Sequence, residues 1–277
     1  MYDLNLTEKL ADFAVKTGYE DIPDPVLRRT KTHVLDTLGV TIAGYRSIKS
    51  SNLFAAICLL GGSGEATIIG DGRRISVQNA AMINTIAAQV LELNDTHTAS
   101  GVHPGQHTVP AALAMGEKMH STGKEMLASI VVGYDVMIRI SSALPPLKHQ
   151  WWATNATGGT FGAAISSGKM LDLDKERMIC ALGIAGSRCF GSRSIAQDMK
   201  DFNPGLSEWI GVTAAMMARM GVKGPDNALE RSHGFYDVSS DEFNRQRVTA
   251  GLGDIFKIME TDFKPYACCR HIHPSID

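Results

Sequence analysis

Acid, hydroxyl and imidazole side chains are concentrated in two neighbouring stretches of the chain. The first holds Glu92, Asp95, Thr96 and His97, and the second begins with His103 in front of a proline and a glycine. Histidine titrates near neutral pH, so it can accept and donate a proton, and a nearby carboxylate can fix its tautomer. Both stretches lie where an apolar helical pattern breaks into a turn, and such a break exposes side chains in a pocket. They predict a site for acid–base chemistry.

The bulk composition is that of an ordinary globular protein. The 277 residues are 44% hydrophobic and 20% charged, which allows a large core in one or two domains. A net charge of -2 and no extended basic run give no electrostatic reason to expect nucleic acid or an anionic membrane as a partner. Without a signal-peptide pattern or a membrane-length apolar stretch, we expect a cytoplasmic protein. The five cysteines favour a reducing compartment over a disulfide framework.

Helical periodicity predicts a mainly all-α domain. Apolar residues recur at helical spacing in a first helix near the N-terminus and in a second from Asp24, which we expect Gly44 to end. A short β-hairpin is expected around Gly70-Asp71-Gly72, and β-branched and aromatic residues predict a strand within residues 255–263. The further predicted helices span residues 76–93, 110–120, 123–144, 158–171, 174–184 and 206–220.

The pattern predicts one helical domain over residues 1–260 and the beginning of a second domain over residues 261–277. No repeat or long linker interrupts the first part. In the second part, His273-Pro274-Ser275 is typical of the cap of a further helix.

The absence of several known sequence motifs limits the reactions that this sequence supports. The chain has no phosphate-binding loop, dinucleotide fingerprint, nucleophile elbow or H-E-x-x-H helix, so nucleotide and serine-esterase functions have little support. His103 and His107 are four residues apart, but Pro104-Gly105 argues against a helix that would aim both at one ion. Residues 268–273 offer four ligand types, yet adjacent cysteines rarely chelate one ion. We predict neither a metal nor another cofactor.

Four ordered segments resemble the MmgE/PrpD family. They are His33–Val40, Asn94–His97 with His103–Gly105, Gly159–Ala164, and Lys264–Tyr266 with Cys269–His271. The resemblance covers essentially the whole chain. It implies a large helical domain and a smaller α+β lid domain, usually in a homodimer, that acts on small polycarboxylates. Members of the family are longer, so we expect most of the lid to be absent from this sequence.

The same resemblance implies roles for particular residues. His103 matches a catalytic histidine, and Lys200 matches a lysine of the pocket, so these two are the expected catalytic residues. Lysine side chains hold carboxylates as point charges. The residues that we expect to bind the substrate are Glu92, Asp95, Thr96, Lys264, Arg270 and His271. For His97, His107, His120 and His233 we expect surface or capping positions instead.

Two positions depart from the decarboxylase branch of the family, because Ala153 and Cys269 stand where that branch has histidines. The departures favour a 2-methylcitrate dehydratase-like hydro-lyase over a decarboxylase, with an epimerase as a further alternative. All these reactions build negative charge beside a carboxylate, so they need a base and nearby cations. A hypothesis from another class is a catalytically inactive helical scaffold or dimerisation module, since a pocket without its lid stays open to water.

Overall fold

The helices follow the apolar periodicity of the sequence in a computed structural model, which describes residues 5–48, 51–145, 154–189 and 199–277. The prediction of a mainly all-α fold with a short β-hairpin is confirmed. The α-helices are α1 Leu6–Lys16, α2 Asp24–Ile48, α3 Asn52–Leu60, α4 Val77–Gln89, α5 Gly105–Met119, α6 Gly123–Ser142, α7 Thr154–Met170, α8 Lys175–Gly186, α9 Met199–Arg219, α10 Phe235–Ser239 and α11 Arg245–Thr249. The strands β1 Ala66–Thr67 and β2 Arg74–Ile75 pair antiparallel, and 3₁₀ helices cover Tyr19–Asp21, Lys257–Glu260 and Arg270–Ser275.

Several details of the predicted elements are wrong, including the starts of α7 and α9, which lie four and seven residues before the predicted ones. Gly44 does not end α2, which continues to Ile48. The glycine instead allows α2 and α4 to pack closely, because a Cβ at this position would lie 1.9 Å from the carbonyl oxygen of Ala87. Within residues 255–263 the structure has a 3₁₀ helix at Lys257–Glu260 instead of a strand, and only Asp262 of this segment makes a β-bridge, with Thr96. Helix α5 begins at Gly105, five residues before the predicted start.

The core is built around α4 to α7 and α9. Helix α7 packs between α6 and α9, and α4 contacts α2, α5 and α9. Helix α6 is buried along most of its length, from Leu127 to Ser141. Its N-terminus carries a capping box in which the side chains of Thr122 and Glu125 satisfy each other's backbone N–H groups. The polar loops of the site connect and pack against these central helices.

Pro110 lies inside α5, and the structure compensates for the hydrogen bond that it removes. Proline has no N–H, so the carbonyl of Gln106 loses its helical hydrogen bond. The hydroxyl of Thr85 on α4 donates to that carbonyl at 3.0 Å. The first turn of α5 is thereby fixed against α4, directly beside His103.

A buried ion pair on α6 holds the chain that leads to residue 264. Arg139 and Asp135 contact each other with both side chains fully buried. Arg139 donates to the carbonyls of Ala250 at 2.7 Å and Ile255 at 2.9 Å, and Asp135 accepts from the backbone N–H of Lys257 at 2.6 Å. The charges are thus satisfied by backbone groups, and residues 250–257 are anchored to the core.

Among the helices of the described ranges, none is long and apolar enough to cross a membrane.

Candidate active site

The site is formed by the loop between α4 and α5. After α4 ends at Gln89, Glu92 adopts a left-handed backbone conformation with φ 53°, which turns the chain. His97 and Val102 then form an isolated antiparallel bridge, so residues 97–102 make a small closed loop. The chain returns to α5 through His103 and Pro104. Residues that are distant along this loop are therefore brought together at the N-terminus of α5.

His103 is held as a neutral base. Its Nδ1 donates to the backbone carbonyl of Asp95 at 2.6 Å, and the hydroxyl of Thr96 lies 3.0 Å from the same nitrogen. Because Nδ1 carries the proton, the lone pair is on Nε2, which has no hydrogen-bond partner in the described part of the chain. Burial, helped by the charge of Lys264, lowers the pKa of His103 to about 4. The imidazole is therefore neutral at pH 7, with an unprotonated Nε2.

Asp95 is buried next to His103, and its carboxylate contacts protein groups. Its Oδ1 accepts from the N–H of Gly105 at 2.9 Å, and its Oδ2 accepts from the hydroxyl of Tyr134 at 2.6 Å. The Nδ1 of His33 lies 3.1 Å from the same Oδ2, and both side chains are fully buried. Although burial raises the pKa of Asp95, the contacts with His33, Tyr134 and Gly105 outweigh it, so the pKa is lowered. Protein groups contact both oxygens, and the expected contact of Asp95 with the substrate stays a prediction.

Lys264 reaches the site from the C-terminal segment. Its Nζ donates to the backbone carbonyl of Glu92 at 2.9 Å and to Oδ1 of Asn94 at 3.1 Å. The residue is only 6% exposed, and burial lowers the pKa of its ammonium group. An ammonium group has three N–H donors. Two of them are used by the protein, which leaves one for a ligand carboxylate.

Several contacts fix the backbone just before Lys264. Asp262 and Thr96 exchange two backbone hydrogen bonds of 2.8 and 2.9 Å. The guanidinium of Arg29 lies 4.5 Å from the centroid of the Phe263 ring, and the ring of His33 lies 4.4 Å from it at an interplanar angle of 32°. Phe263 thus makes a cation–π contact and a tilted ring–ring contact. The segment that carries Lys264 is thus tied to the loop that carries His103.

Lys200 approaches Glu92 from the first turn of α9. Its Nζ lies 2.7 Å from Oε1 of Glu92, which also accepts from Nε2 of Gln89 at 2.7 Å. The Glu92 contact raises the pKa of Lys200, whose side chain is 55% exposed. The structure therefore brings His103, Lys200, Lys264, Glu92 and Thr96 to one place.

Arg270 and His271 are less clearly part of this group. Within the described ranges, no hydrogen bond or ion pair joins either residue to His103 or to the two lysines. His271 is exposed and its Nδ1 lies 3.6 Å from the Sγ of Cys269. Arg270 is half-buried. Their expected contact with the substrate stays a prediction.

Two of the histidines expected at surface or capping positions are buried instead. His97 is 4% exposed, with Nε2 3.3 Å from Glu260 and Nδ1 2.7 Å from Ser100. His107 is fully buried in α5, where its Nδ1 lies 3.2 Å from Oε2 of Glu208. The early start of α5 is the physical reason for the second difference. Gly159 leaves room for the His107 ring, because a Cβ at this position would lie 2.3 Å from it, and no sequence pattern pairs these two residues.

Ala153, one of the two positions that depart from the decarboxylase branch, lies outside the described residues. Across the ranges that the structure covers, no three His, Cys, Asp or Glu side chains are grouped so that they would share a metal ion.

The fold and the site together define a helical domain with a half-buried, neutral imidazole near two ammonium groups. Its sequence matches the MmgE/PrpD N-terminal domain over residues 8–247, and the chain belongs to the MmgE/PrpD family. A cis-aconitate decarboxylase of Aspergillus terreus is 27% identical over 98% of this chain and 59% of its own length. The cis-aconitate decarboxylase of Homo sapiens is 27% identical over 83% of this chain and 50% of its own. The chain spans about three fifths of the length of the first of these relatives.

Proposed function

We propose that the chain is the base-bearing part of a lyase that acts on a small tricarboxylate. The observation that carries this proposal is the neutral His103, with a free Nε2 in electrostatic range of the Lys264 ammonium group. Nε2 removes a proton from a carbon next to a carboxylate. Lys264 and Lys200 bind the carboxylates and stabilise the negative charge that develops as the proton leaves.

The protonation state of His103 favours dehydration over decarboxylation. In a dehydration, Nε2 takes the proton from carbon and returns it to the departing hydroxyl group, so that water leaves and a double bond forms. A decarboxylation begins with the loss of CO₂ and then needs an acid to protonate the carbanion. A histidine with a pKa of about 4, whose Nδ1 proton is bound to Asp95, begins the reaction as a base. This supports the 2-methylcitrate dehydratase-like hydro-lyase.

The names of the relatives support the alternative reaction, because both are cis-aconitate decarboxylases. The two reactions are separated by incubating the chain with 2-methylcitrate, citrate and cis-aconitate and following each by proton NMR in D₂O. A hydro-lyase removes water from the first two compounds, and the abstracted proton leaves in that water. A decarboxylase consumes cis-aconitate and releases CO₂.

The role of His103 is tested with a matched pair of variants. His103→Asn removes the base, and we expect turnover to fall by roughly 10²–10⁴-fold. His120→Asn is the control, because His120 is an exposed residue at the end of α5 in a left-handed conformation that asparagine tolerates. Equal activity of the two variants would remove the assignment. The absence of both turnover and binding for every tricarboxylate would favour the helical scaffold.

A further inference from the structure

A continuous chain of buried hydrogen bonds links Lys264 to Glu208. The Nζ of Lys264 donates to Oδ1 of Asn94 at 3.1 Å, and Nδ2 of Asn94 donates to Oε1 of Gln106. Nε2 of Gln106 lies 3.1 Å from Nε2 of His107, whose Nδ1 lies 3.2 Å from Oε2 of Glu208. All five residues are at most 6% exposed.

The charged Lys264 fixes the donor and acceptor orientation of every group in this series of hydrogen bonds. Lysine only donates, so Asn94 must turn its oxygen towards Lys264 and its amino group towards Gln106. Gln106 accepts with Oε1, which leaves its amino group facing His107. Nε2 of His107 is then an acceptor, so its proton is on Nδ1 and is donated to Glu208.

Asn94 is also the branch point towards the second lysine. Its Nδ2 lies 3.1 Å from Oε1 of Gln89, and Nε2 of Gln89 donates to Oε1 of Glu92 at 2.7 Å. The same Oε1 pairs with Lys200 at 2.7 Å. One asparagine therefore connects both ammonium groups of the site, although the two lysines are far apart along the chain.

We propose that Asn94 is a positioning residue that fixes the spacing of Lys264 and Lys200 for a tricarboxylate and ties the proton position on His107 to the charge of Lys264. The substrate part of this proposal rests on the proposed function. The hydrogen-bond orientation does not, because it is a property of the free protein. A flexible lysine side chain loses less freedom on binding when a protein acceptor already holds it.

The substitution Asn94→Asp tests the orientation. It keeps the shape of the side chain but removes both N–H donors, so Gln106 must turn its amino group towards the new carboxylate. Its oxygen then faces His107, and the proton of His107 must move from Nδ1 to Nε2. Nitrogen-15 NMR of the histidine-labelled chain, with the His107 signals assigned by His107→Gln, reports which nitrogen is protonated.

We expect Nδ1–H in the wild type and Nε2–H in Asn94→Asp. Gln89→Ala is the matched control, because it removes only the branch towards Glu92 and should leave the His107 tautomer unchanged. Gln106→Glu should give the same reversal as Asn94→Asp and replaces it if that variant does not fold. An Nε2-protonated His107 in the wild type, or no reversal in a folded variant, overturns the proposal.

The positioning role has its own measurement. Asn94→Asp should raise the KM for the tricarboxylate that is turned over, on the order of tenfold to a hundredfold, because the new carboxylate competes with the substrate for Lys264. A KM within twofold of the wild type would contradict positioning by Asn94. If the chain turns over no tricarboxylate, the calorimetric affinity for citrate replaces KM. The proposed function has then failed, whereas the tautomer result still decides the hydrogen-bond chain.

Discussion

His103 should make the protein sensitive to acid in a defined pH range. Its pKa falls from 6.5 to about 4 in the folded chain, mainly because of burial and then because of the charge of Lys264. Between these two values the unfolded chain binds a proton that the folded chain does not bind. The free energy of unfolding therefore decreases as the pH falls from 6.5 to 4. Each pKa unit corresponds to about 1.4 kcal/mol, so the loss at pH 4 is about 3 kcal/mol.

This loss is a large part of the stability of a typical domain, which is about 5–15 kcal/mol. The assay is urea denaturation followed by circular dichroism at half-unit steps from pH 4 to pH 7. His103→Asn removes the titrating group, so the free energy of unfolding of this variant should decrease less steeply with falling pH. Between pH 7 and pH 4 the variant should lose about 3 kcal/mol less than the wild type. The control His120→Asn, which removes an exposed histidine, should follow the wild-type curve. If the His103→Asn curve runs parallel to the wild type, the burial argument for a neutral base is refuted.

Three further substitutions test the supports of the site. Arg139→Met leaves Asp135 as an unpaired buried charge and should lower the free energy of unfolding in urea by about 3–5 kcal/mol. A decrease below about 1 kcal/mol would show that the ion pair does not stabilise the fold. Gly159→Ala places a Cβ 2.3 Å from the ring of His107 and should destabilise by about 1–3 kcal/mol, and a neutral effect would mean that the ring moves freely. Phe263→Ala removes a ring that contacts both the Arg29 guanidinium and the His33 imidazole, so calorimetry should show weaker citrate binding, and unchanged affinity would count against this support.

The helices were predictable because their apolar faces repeat at helical spacing, and the hairpin because two glycines flank an aspartate at its turn. Contacts between distant residues were not. Gly44 has the sequence signature of a helix end, but it is the close approach of Ala87 that requires a glycine there. Likewise, β-branched residues in 255–263 suggest a strand, whereas the buried Arg139 takes the backbone carbonyls of this region as hydrogen-bond acceptors.

The site was predictable in part for a similar reason. The grouping of His103 with Thr96 and Glu92 follows from their nearness in sequence, and the lysines followed only from the family resemblance. The supporting groups were missed, because nothing in a sequence pattern reveals that Asn94 faces Lys264 or that Gln106 faces His107. Buried amides of this kind are identified only when their hydrogen-bond partners are known.

A crystal structure of the chain with citrate bound tests the central claim most directly. The account predicts that the ligand lies between Nε2 of His103 and the Nζ atoms of Lys200 and Lys264, with carboxylate oxygens about 2.7–3.2 Å from each ammonium group. Citrate bound at another surface, with His103 and the lysines free of contact, would contradict it.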